Sequence, residues 1–227
     1  MIHFSHYFQT SIGSKVVMAV TGILLFLFLI AHLLGNLLFF AGPDATNAYG
    51  HGLREMSALL WLARLGLLLV FILHVASAIR VSRLNRDARP VPYMVLATVE
   101  TTFAARTILM SGLILLAFVV YHLLHFTLGV TNPEYLQLVD SHGRADVYRM
   151  VITGFQNVVV SVVYIIAMLL LAMHLSHGVT SFFQSIGLNH PRCNRLFKRL
   201  GPISAIIIFI GFVSIPFSVL SGMVKVP

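Results

Sequence analysis

The stretch LLLAMHLSHGVTSFFQSIG, from Leu169 to Gly187, places His174 and His177 three residues apart within an otherwise hydrophobic segment. Three further hydrophobic stretches also carry histidine: FLIAHLLGN with His32, VFILHVASAIR with His74, and VVYHLLHF with His122 and His125. Ionisable side chains are costly in hydrocarbon, and those found there usually serve a function. Histidines in four separate hydrophobic stretches therefore indicate functional sites that these stretches build together.

The composition is that of an integral membrane protein. The 227 residues are 58% hydrophobic and 10% charged, with a mean hydropathy of +0.92, which excludes a large soluble domain. The net charge of +8 resides largely in connecting segments, so it predicts membrane orientation and lipid contact rather than nucleic-acid binding. A single cysteine, Cys193, permits no internal disulfide and no iron–sulfur cluster held by this chain alone.

Five segments are long enough to cross a bilayer, whose core of about 30 Å requires roughly 20 apolar residues per helix. The predicted helices cover residues 14–40, 57–81, 103–130, 154–186 and 201–221. No internal repeat and no linker is evident, so we expect one membrane domain over residues 1–227. The predicted fold class is an all-α bundle of five transmembrane helices.

Basic residues concentrate in two of the connecting segments. They are Arg80, Arg83, Arg86 and Arg89 after the second helix, and Arg192, Arg195, Lys198 and Arg199 before the fifth. The other two connections mix acidic and basic residues. By the positive-inside rule, the amino terminus is cytoplasmic and the carboxyl terminus is outside, which agrees with an odd number of helices.

The histidines fall at two depths. His32 and His122 lie about 25 Å and 24 Å beyond the basic residues that precede their helices, close to the outer face. His74 lies about 9 Å before Arg80, and His174 is deep in a helix that runs inward. We therefore predict an outer pair, His32 and His122, and an inner pair, His74 and His174.

Two imidazoles from facing helices in an apolar bundle are the ligands of a six-coordinate b-type haem. A lone buried histidine is more often a structural group or part of a proton relay, but a relay does not need two pairs at matched depths. The chain has no C-x-x-C-H sequence for covalent haem attachment. The sequence thus predicts two b haems forming an electron path across the membrane.

Small and polar residues share faces with these histidines: Thr21 and Asn36 with His32, Ser77 with His74, and Gly178 and Ser181 with His174. They can make room for a macrocycle and orient the imidazoles, or they can serve helix packing, and both interpretations stay open. Tyr164 is expected to serve packing or to be an interfacial anchor. Histidines in polar segments are expected to face solvent: His3, His6, His51, His142 and His190.

Spacing alone does not choose between His122 and His125, or between His174 and His177, as iron ligands. The second member of each couple is a candidate for binding a haem propionate or for serving a quinone. Arg80 is a further candidate for a propionate, with acidic lipid as its alternative partner.

These residues resemble the diheme cytochrome b membrane-anchor subunit, in its five-helix form, of bacterial succinate dehydrogenase and fumarate reductase. The resemblance runs from SIGSKVVMAVTGILL to GLNHPR. Its specific marks are a histidine ten residues after a T-G pair (Gly22 to His32), H-x5-R (His74 to Arg80), Tyr121-His122, and a histidine thirteen residues before a glycine (His174 to Gly187).

The resemblance implies that His74 and His174 ligate an inner haem, and that His32 and His122 ligate an outer haem. It implies electron transfer between a quinone, menaquinone in this family, and an iron–sulfur subunit attached to an FAD flavoprotein of the tricarboxylic acid cycle. The implied location is the bacterial cytoplasmic (inner) membrane, and a dimer of heterotrimers is one expected assembly. Dicarboxylate chemistry would belong to the flavoprotein.

Two positions bear on the comparison with the family. Some fumarate-reducing members carry a glutamate, proposed to conduct protons, where this chain has Ala172, so we expect this chain either to lack that proton route or to use another one. Glu55 in the first loop is the candidate for a quinone-pocket glutamate.

Two other functions are considered. One is the diheme anchor of a formate dehydrogenase, hydrogenase or nitrate reductase. The other is a proton-coupled transporter or metal carrier, which the scarcity of acidic residues in the central helices disfavours, Glu100 near a helix start excepted.

Overall fold

The computed structural model describes residues 10–88, 101–188 and 190–226. The described chain forms the α-helices α1 (Ser11–Leu37), α2 (Pro43–Glu55), α3 (Ser57–Asp87), α4 (Phe103–Arg106), α5 (Ile108–His122), α6 (Val147–Gln156), α7 (Val158–Ser185) and α8 (Pro191–Leu220). Leu38–Ala41 and Pro133–Gln137 form 3-10 turns, and the π-helical turn Leu123–Thr127 extends α5. His3, His6, Arg89 and Glu100 lie outside the described residues.

Five of these helices are long and apolar enough to cross a membrane. The candidate spans are Ser11–Ala41, Ser57–Asp87, Ile108–Thr127, Val158–Ser185 and Asn194–Leu220. Within the described ranges, the only β pairing is an isolated bridge between Val139 and Ala145. For the described residues, the prediction of an all-α fold with five helices long and apolar enough to span a membrane is thereby confirmed, while the orientation of the termini stays a prediction.

Local capping explains where the helix bounds differ from the predicted ones. The predicted fourth helix, 154–186, divides at Asn157, whose side chain accepts hydrogen bonds from the backbone of Val159 and Val160 and so begins α7 there. The fifth helix begins near residue 191 rather than 201, because the ring of His190 accepts from the backbone of Arg192. A proline follows at the first helical position, where a missing N–H costs nothing.

Two short helices pack against each other at one end of the bundle, although α2 and most of α6 were expected to belong to connecting segments. Asn47 of α2 is only 1% exposed. Its amide donates to Asp140 and Asp146, and its carbonyl accepts from the backbone of Tyr148 at the start of α6. We call α2, residues 138–146 and α6 the outer cap, because it follows the ends of α1 and α5 that lie nearest His32 and His122.

Arg144 links the parts of the outer cap by charge. Its guanidinium donates to Asp44 at 2.7 Å and to Asp140 at 2.8 Å. Desolvation raises the pKa of the Asp140 carboxyl, but hydrogen bonds from Arg144, His142 and Asn47 outweigh it and lower that pKa to about 2. Asp140 therefore stays ionised in the folded cap at any pH above that range.

The spanning helices α1, α3, α5 and α7 form a ring, with α8 packed outside it. α1 contacts α3 and α7, and α5 contacts α7 and α3, so α1 lies diagonally across from α5, and α3 across from α7. α8 lies closely against α7: an added Cβ at Gly201 would overlap the Ser176 carbonyl and the Thr180 hydroxyl. The two diagonals of this ring are the directions in which side chains from non-neighbouring helices can meet.

Candidate functional site

Both predicted histidine pairs meet across these diagonals. The rings of His74 on α3 and His174 on α7 have centroids 6.5 Å apart, with planes at 67°. The rings of His32 on α1 and His122 on α5 have centroids 6.0 Å apart, with planes at 81°. We keep the name inner pair for His74 and His174, and the name outer pair for His32 and His122.

The separation within each pair fits two imidazoles on opposite sides of one iron. A metal–imidazole bond is about 2 Å long and the ring centre lies roughly 1 Å behind the bonding nitrogen, so the two centroids should be about 6 Å apart. Haem iron takes four further ligands from the porphyrin, and two histidines complete its coordination. The pairs therefore fit two bis-histidine haems.

The same donors do not suit a metal held by side chains alone. Among the residues that the structure describes, no group of three or more His, Cys, Asp or Glu converges on a common point. A structural zinc ion takes four protein ligands, and a catalytic one takes three. A haem supplies four iron ligands of its own, so it would need only the two histidines of each pair.

Hydrogen bonds around His74 define its tautomer. Its Nδ1 lies 3.2 Å from the Thr21 hydroxyl and 3.2 Å from the Met18 carbonyl. The Thr21 hydroxyl donates its only proton to the Val17 carbonyl at 2.7 Å, so its oxygen is left to accept. With two acceptors beside it, Nδ1 carries the hydrogen, and the lone pair of Nε2 is available to a metal.

His174 has the same arrangement. Its Nδ1 lies 3.3 Å from the Ser111 hydroxyl, which donates to the Ile108 carbonyl at 3.0 Å. The hydroxyl oxygen therefore accepts from Nδ1–H, and Nε2 is again the nitrogen available for coordination. Both inner histidines are thus held by a hydroxyl from a neighbouring helix, Thr21 on α1 and Ser111 on α5.

Glycines lie against both inner rings. An added Cβ at Gly22 would lie 3.2 Å from Cε1 of His74, and one at Gly112 would lie 3.3 Å from Cε1 of His174. These contacts are tighter than ordinary carbon contacts of about 3.5–4.0 Å, so a larger residue would displace the rings. At Gly178, one turn beyond His174, an added Cβ would meet no atom within 4 Å.

A tyrosine links two histidines at the outer level. The Tyr164 hydroxyl lies 3.4 Å from Nδ1 of His122 and 3.0 Å from Nδ1 of His125. His125 is 1% exposed and stacks on Tyr121. His125 is therefore a buried hydrogen-bonding partner of Tyr164, beside rather than within the outer pair.

His32 is held mainly by packing. Phe28 stacks on its ring at 5.3 Å, and Phe212 of α8 contacts it at 5.8 Å. The Asn36 amide donates to the His32 carbonyl at 2.7 Å and lies 3.4 Å from both ring nitrogens. Asn36 thus lies on the His32 face, as its spacing predicts.

The remaining predicted site residues lie farther from the pairs. Ser77 is buried on α3, but the hydroxyl that contacts His74 belongs to Thr21. Arg80 lies with Arg83 and apolar residues of the same helix at an open surface depression on α3. Glu55 is exposed at the end of α2, where its carboxylate lies 3.7 Å from His51.

His177 is half-buried on α7, and its role stays a prediction. His51, His142 and His190 are exposed, as their polar segments predict. Ser111, Gly112 and Gly22 were not predicted as neighbours of the inner histidines, and Tyr164 was expected to be a packing residue or an interfacial anchor rather than a hydrogen-bonding partner of histidine. The sequence signal that could have identified these neighbours is a hydroxyl residue followed by glycine, which occurs as Thr21-Gly22 and again as Ser111-Gly112.

The two pairs are separated along the bundle by about three turns of helix. Gly22, which contacts His74, and His32 are both on α1, and ten residues of helix correspond to about 15 Å. α5 shows the same separation between Gly112 and His122. Two irons at these levels would form a short electron path within one apolar bundle. Comparisons with protein families, with curated protein sequences and with solved structures found no match.

Proposed function

We propose that this chain is the membrane-anchor cytochrome b subunit of a bacterial succinate:quinone oxidoreductase. In this proposal it relays electrons between a membrane quinone and an iron–sulfur subunit. The observation that carries the proposal is the meeting of four histidines as two couples, with centroids 6.0 Å and 6.5 Å apart, on the two diagonals of one helix ring.

The residues have distinct roles in this proposal. His32 and His122 hold the outer haem, and His74 and His174 hold the inner one. A bound haem supplies reversible one-electron chemistry. The protein keeps a hydrogen on Nδ1 of each inner histidine so that Nε2 can coordinate, and the apolar faces of the bundle exclude water from the site.

The partners follow from the family resemblance and from the charge pattern. We propose an iron–sulfur subunit and an FAD flavoprotein on the cytoplasmic side. Arg80 and Arg83 follow His74 along α3 towards that side. Menaquinone is the proposed quinone, and the inner membrane is the proposed location, with the amino terminus cytoplasmic. Succinate and fumarate chemistry takes place on the flavoprotein, so this chain is the quinone-reactive part of the enzyme.

Purification of the chain with its associated subunits from its native membrane tests the function. We expect non-covalent haem b that succinate reduces and fumarate reoxidises, together with a flavin-containing subunit. Haem reduced by formate or hydrogen, with a molybdenum or nickel subunit, would assign the chain to another dehydrogenase. A colourless complex would remove the electron-transfer proposal altogether.

Single substitutions test the pairing. His74→Ala or His174→Ala should remove the inner haem alone, and His32→Ala or His122→Ala the outer haem alone. His51→Ala is the matched control, because His51 is exposed on α2 and should be replaceable with both haems retained. Loss of the outer haem from His74→Ala would contradict the assignment of the pairs.

A further inference from the structure

Two spanning helices carry the same spaced pattern, contrary to the expectation that the chain has no internal repeat. α1 contains TGILLFLFLIAH, residues 21–32, and α5 contains SGLILLAFVVYH, residues 111–122. Both read as a hydroxyl residue, glycine, five residues, phenylalanine, three residues and histidine. The two copies lie at a constant offset of 90 positions.

Equivalent residues of the two copies make equivalent contacts. The hydroxyl oxygens of Thr21 and Ser111 lie 3.2 Å and 3.3 Å from Nδ1 of the inner histidine on the next long helix, His74 and His174. In each case the hydroxyl donates to a backbone carbonyl of its own helix. Each oxygen is therefore fixed as an acceptor pointed at an imidazole N–H.

The glycine and the phenylalanine of the pattern also match. Added Cβ atoms at Gly22 and Gly112 would lie 3.2 Å and 3.3 Å from Cε1 of the inner rings. Phe28 and Phe118 stack on the outer histidine of their own helix, with centroids 5.3 Å and 6.1 Å away. One twelve-residue unit thus serves both levels: its first two residues contact the inner pair, and its last supplies an outer ligand.

We infer that α1 and α5 are two copies of one haem-holding unit, and that Thr21 and Ser111 are equivalent positioning residues for the inner haem. This inference rests on the proposed function. Each hydroxyl acts on the iron through a histidine of another helix, while the same unit ligates the other iron.

The expected effect follows from the hydrogen bond. An acceptor on Nδ1–H makes an imidazole a stronger electron donor, which favours the oxidised iron. Removing the hydroxyl should therefore raise the midpoint potential of the inner haem. The Met18 carbonyl remains beside His74, and the Ile108 carbonyl lies next to His174, so the rings keep an acceptor and the haem should be retained.

Redox titration and low-temperature electron paramagnetic resonance of the purified complex test this inference. Thr21→Val and Ser111→Ala should each shift the inner haem to a higher potential and change its low-spin signal, with the outer haem unchanged. Thr21→Ser and Ser111→Thr should each keep the wild-type midpoint potential and low-spin signal of the inner haem, because each substitution retains a hydroxyl group at that position. Ser218→Ala is the matched control, since that buried hydroxyl donates only to the backbone of its own helix.

The outcomes separate the inference from the function on which it rests. Two haems in the wild type, with an unshifted inner haem in Thr21→Val and Ser111→Ala, would overturn the positioning role alone. An equal shift of both haems would overturn it as well. If valine is not tolerated at position 21, Thr21→Ala carries the same test. Absence of haem from the wild type would overturn the proposed function first.

Discussion

Gly112→Ala is predicted to disturb the inner haem while leaving the helix intact. The added Cβ would lie 3.3 Å from Cε1 of His174, whereas carbon atoms in contact are about 3.5–4.0 Å apart. The ring must therefore move by roughly 0.2–0.7 Å. Metal–ligand distances are held to about 0.2 Å, so a movement of this size would weaken the proposed bond between His174 and haem iron.

Gly112→Ala should disturb the haem but should make the helix α5 itself more stable. Alanine is favoured over glycine inside a helix by about 0.5–1 kcal/mol, so a weaker helix cannot explain a disturbed haem. Gly22→Ala should act in the same way through His74, whose Cε1 lies 3.2 Å from the added atom. Gly66→Ala is the matched control, because an added Cβ there meets nothing within 4 Å.

Optical and paramagnetic resonance spectra of Gly112→Ala, Gly22→Ala and the control Gly66→Ala test this prediction. We expect the low-spin signal of the inner haem to weaken in Gly112→Ala and Gly22→Ala, with a high-spin signal in its place. The outer haem should keep its wild-type spectrum, and Gly66→Ala should keep both. A wild-type inner haem in Gly112→Ala and Gly22→Ala would show that these glycines do not determine the position of the inner imidazoles.

Three further predictions concern other parts of the molecule. Gly178→Leu should lower the haem content from two per chain to one, because the added side chain projects beside His174 where the macrocycle is expected, whereas Gly66→Leu should leave it at two; equal haem contents would contradict this. Tyr164→Phe should alter the resonance spectrum of the outer haem alone, because only His122 of the four ligands contacts its hydroxyl; a change in the inner haem would exclude this role. The pKa of Asp140 is about 2 in the folded cap and about 3.9 unfolded, so its stabilisation is complete above about pH 4 and is lost as the pH falls towards 2. Melting temperatures of the wild type should fall over that interval more steeply than those of Asp140→Asn, and parallel curves would count against it.

Hydrophobicity and residue counting were sufficient to predict the spanning helices and the pairing of the histidines. A helix of fixed rise converts sequence position into depth, so His32 and His122 had to lie at one level and His74 and His174 at another. The ring order of the helices, with the pairs on its diagonals, depends on side-chain packing between distant segments and was not accessible in this way.

The hydrogen-bonding partners of the histidines were harder to predict. Thr21 shares a helix face with His32, yet it lies about 16 Å away along α1, at the level of His74. Its depth pointed to the inner pair, whereas its face alone suggested the outer one. Ser111 and Tyr164 act on histidines of other helices, which only the packing of the bundle reveals.

The outer cap was not predicted because α2 is short and polar and because α6, although it has an apolar face, is too short to cross a membrane. α2 begins with a proline and is held by the buried Asn47, whose partners lie about a hundred residues away in the sequence. The polar contacts of α2 leave no periodic hydrophobic signal, whereas α6 does carry one, because Tyr148, Ile152 and Phe155 are buried at helical spacing.

Measurement of haem content and spin state in the purified protein decides whether the two histidine pairs hold iron. We predict two non-covalent b haems per chain, both low-spin and both ligated by two imidazoles, from a pyridine haemochromogen assay combined with low-temperature paramagnetic resonance. Protein that contains no haem, or that contains a single haem per chain, would rule out the assignment of the two histidine pairs to two haems.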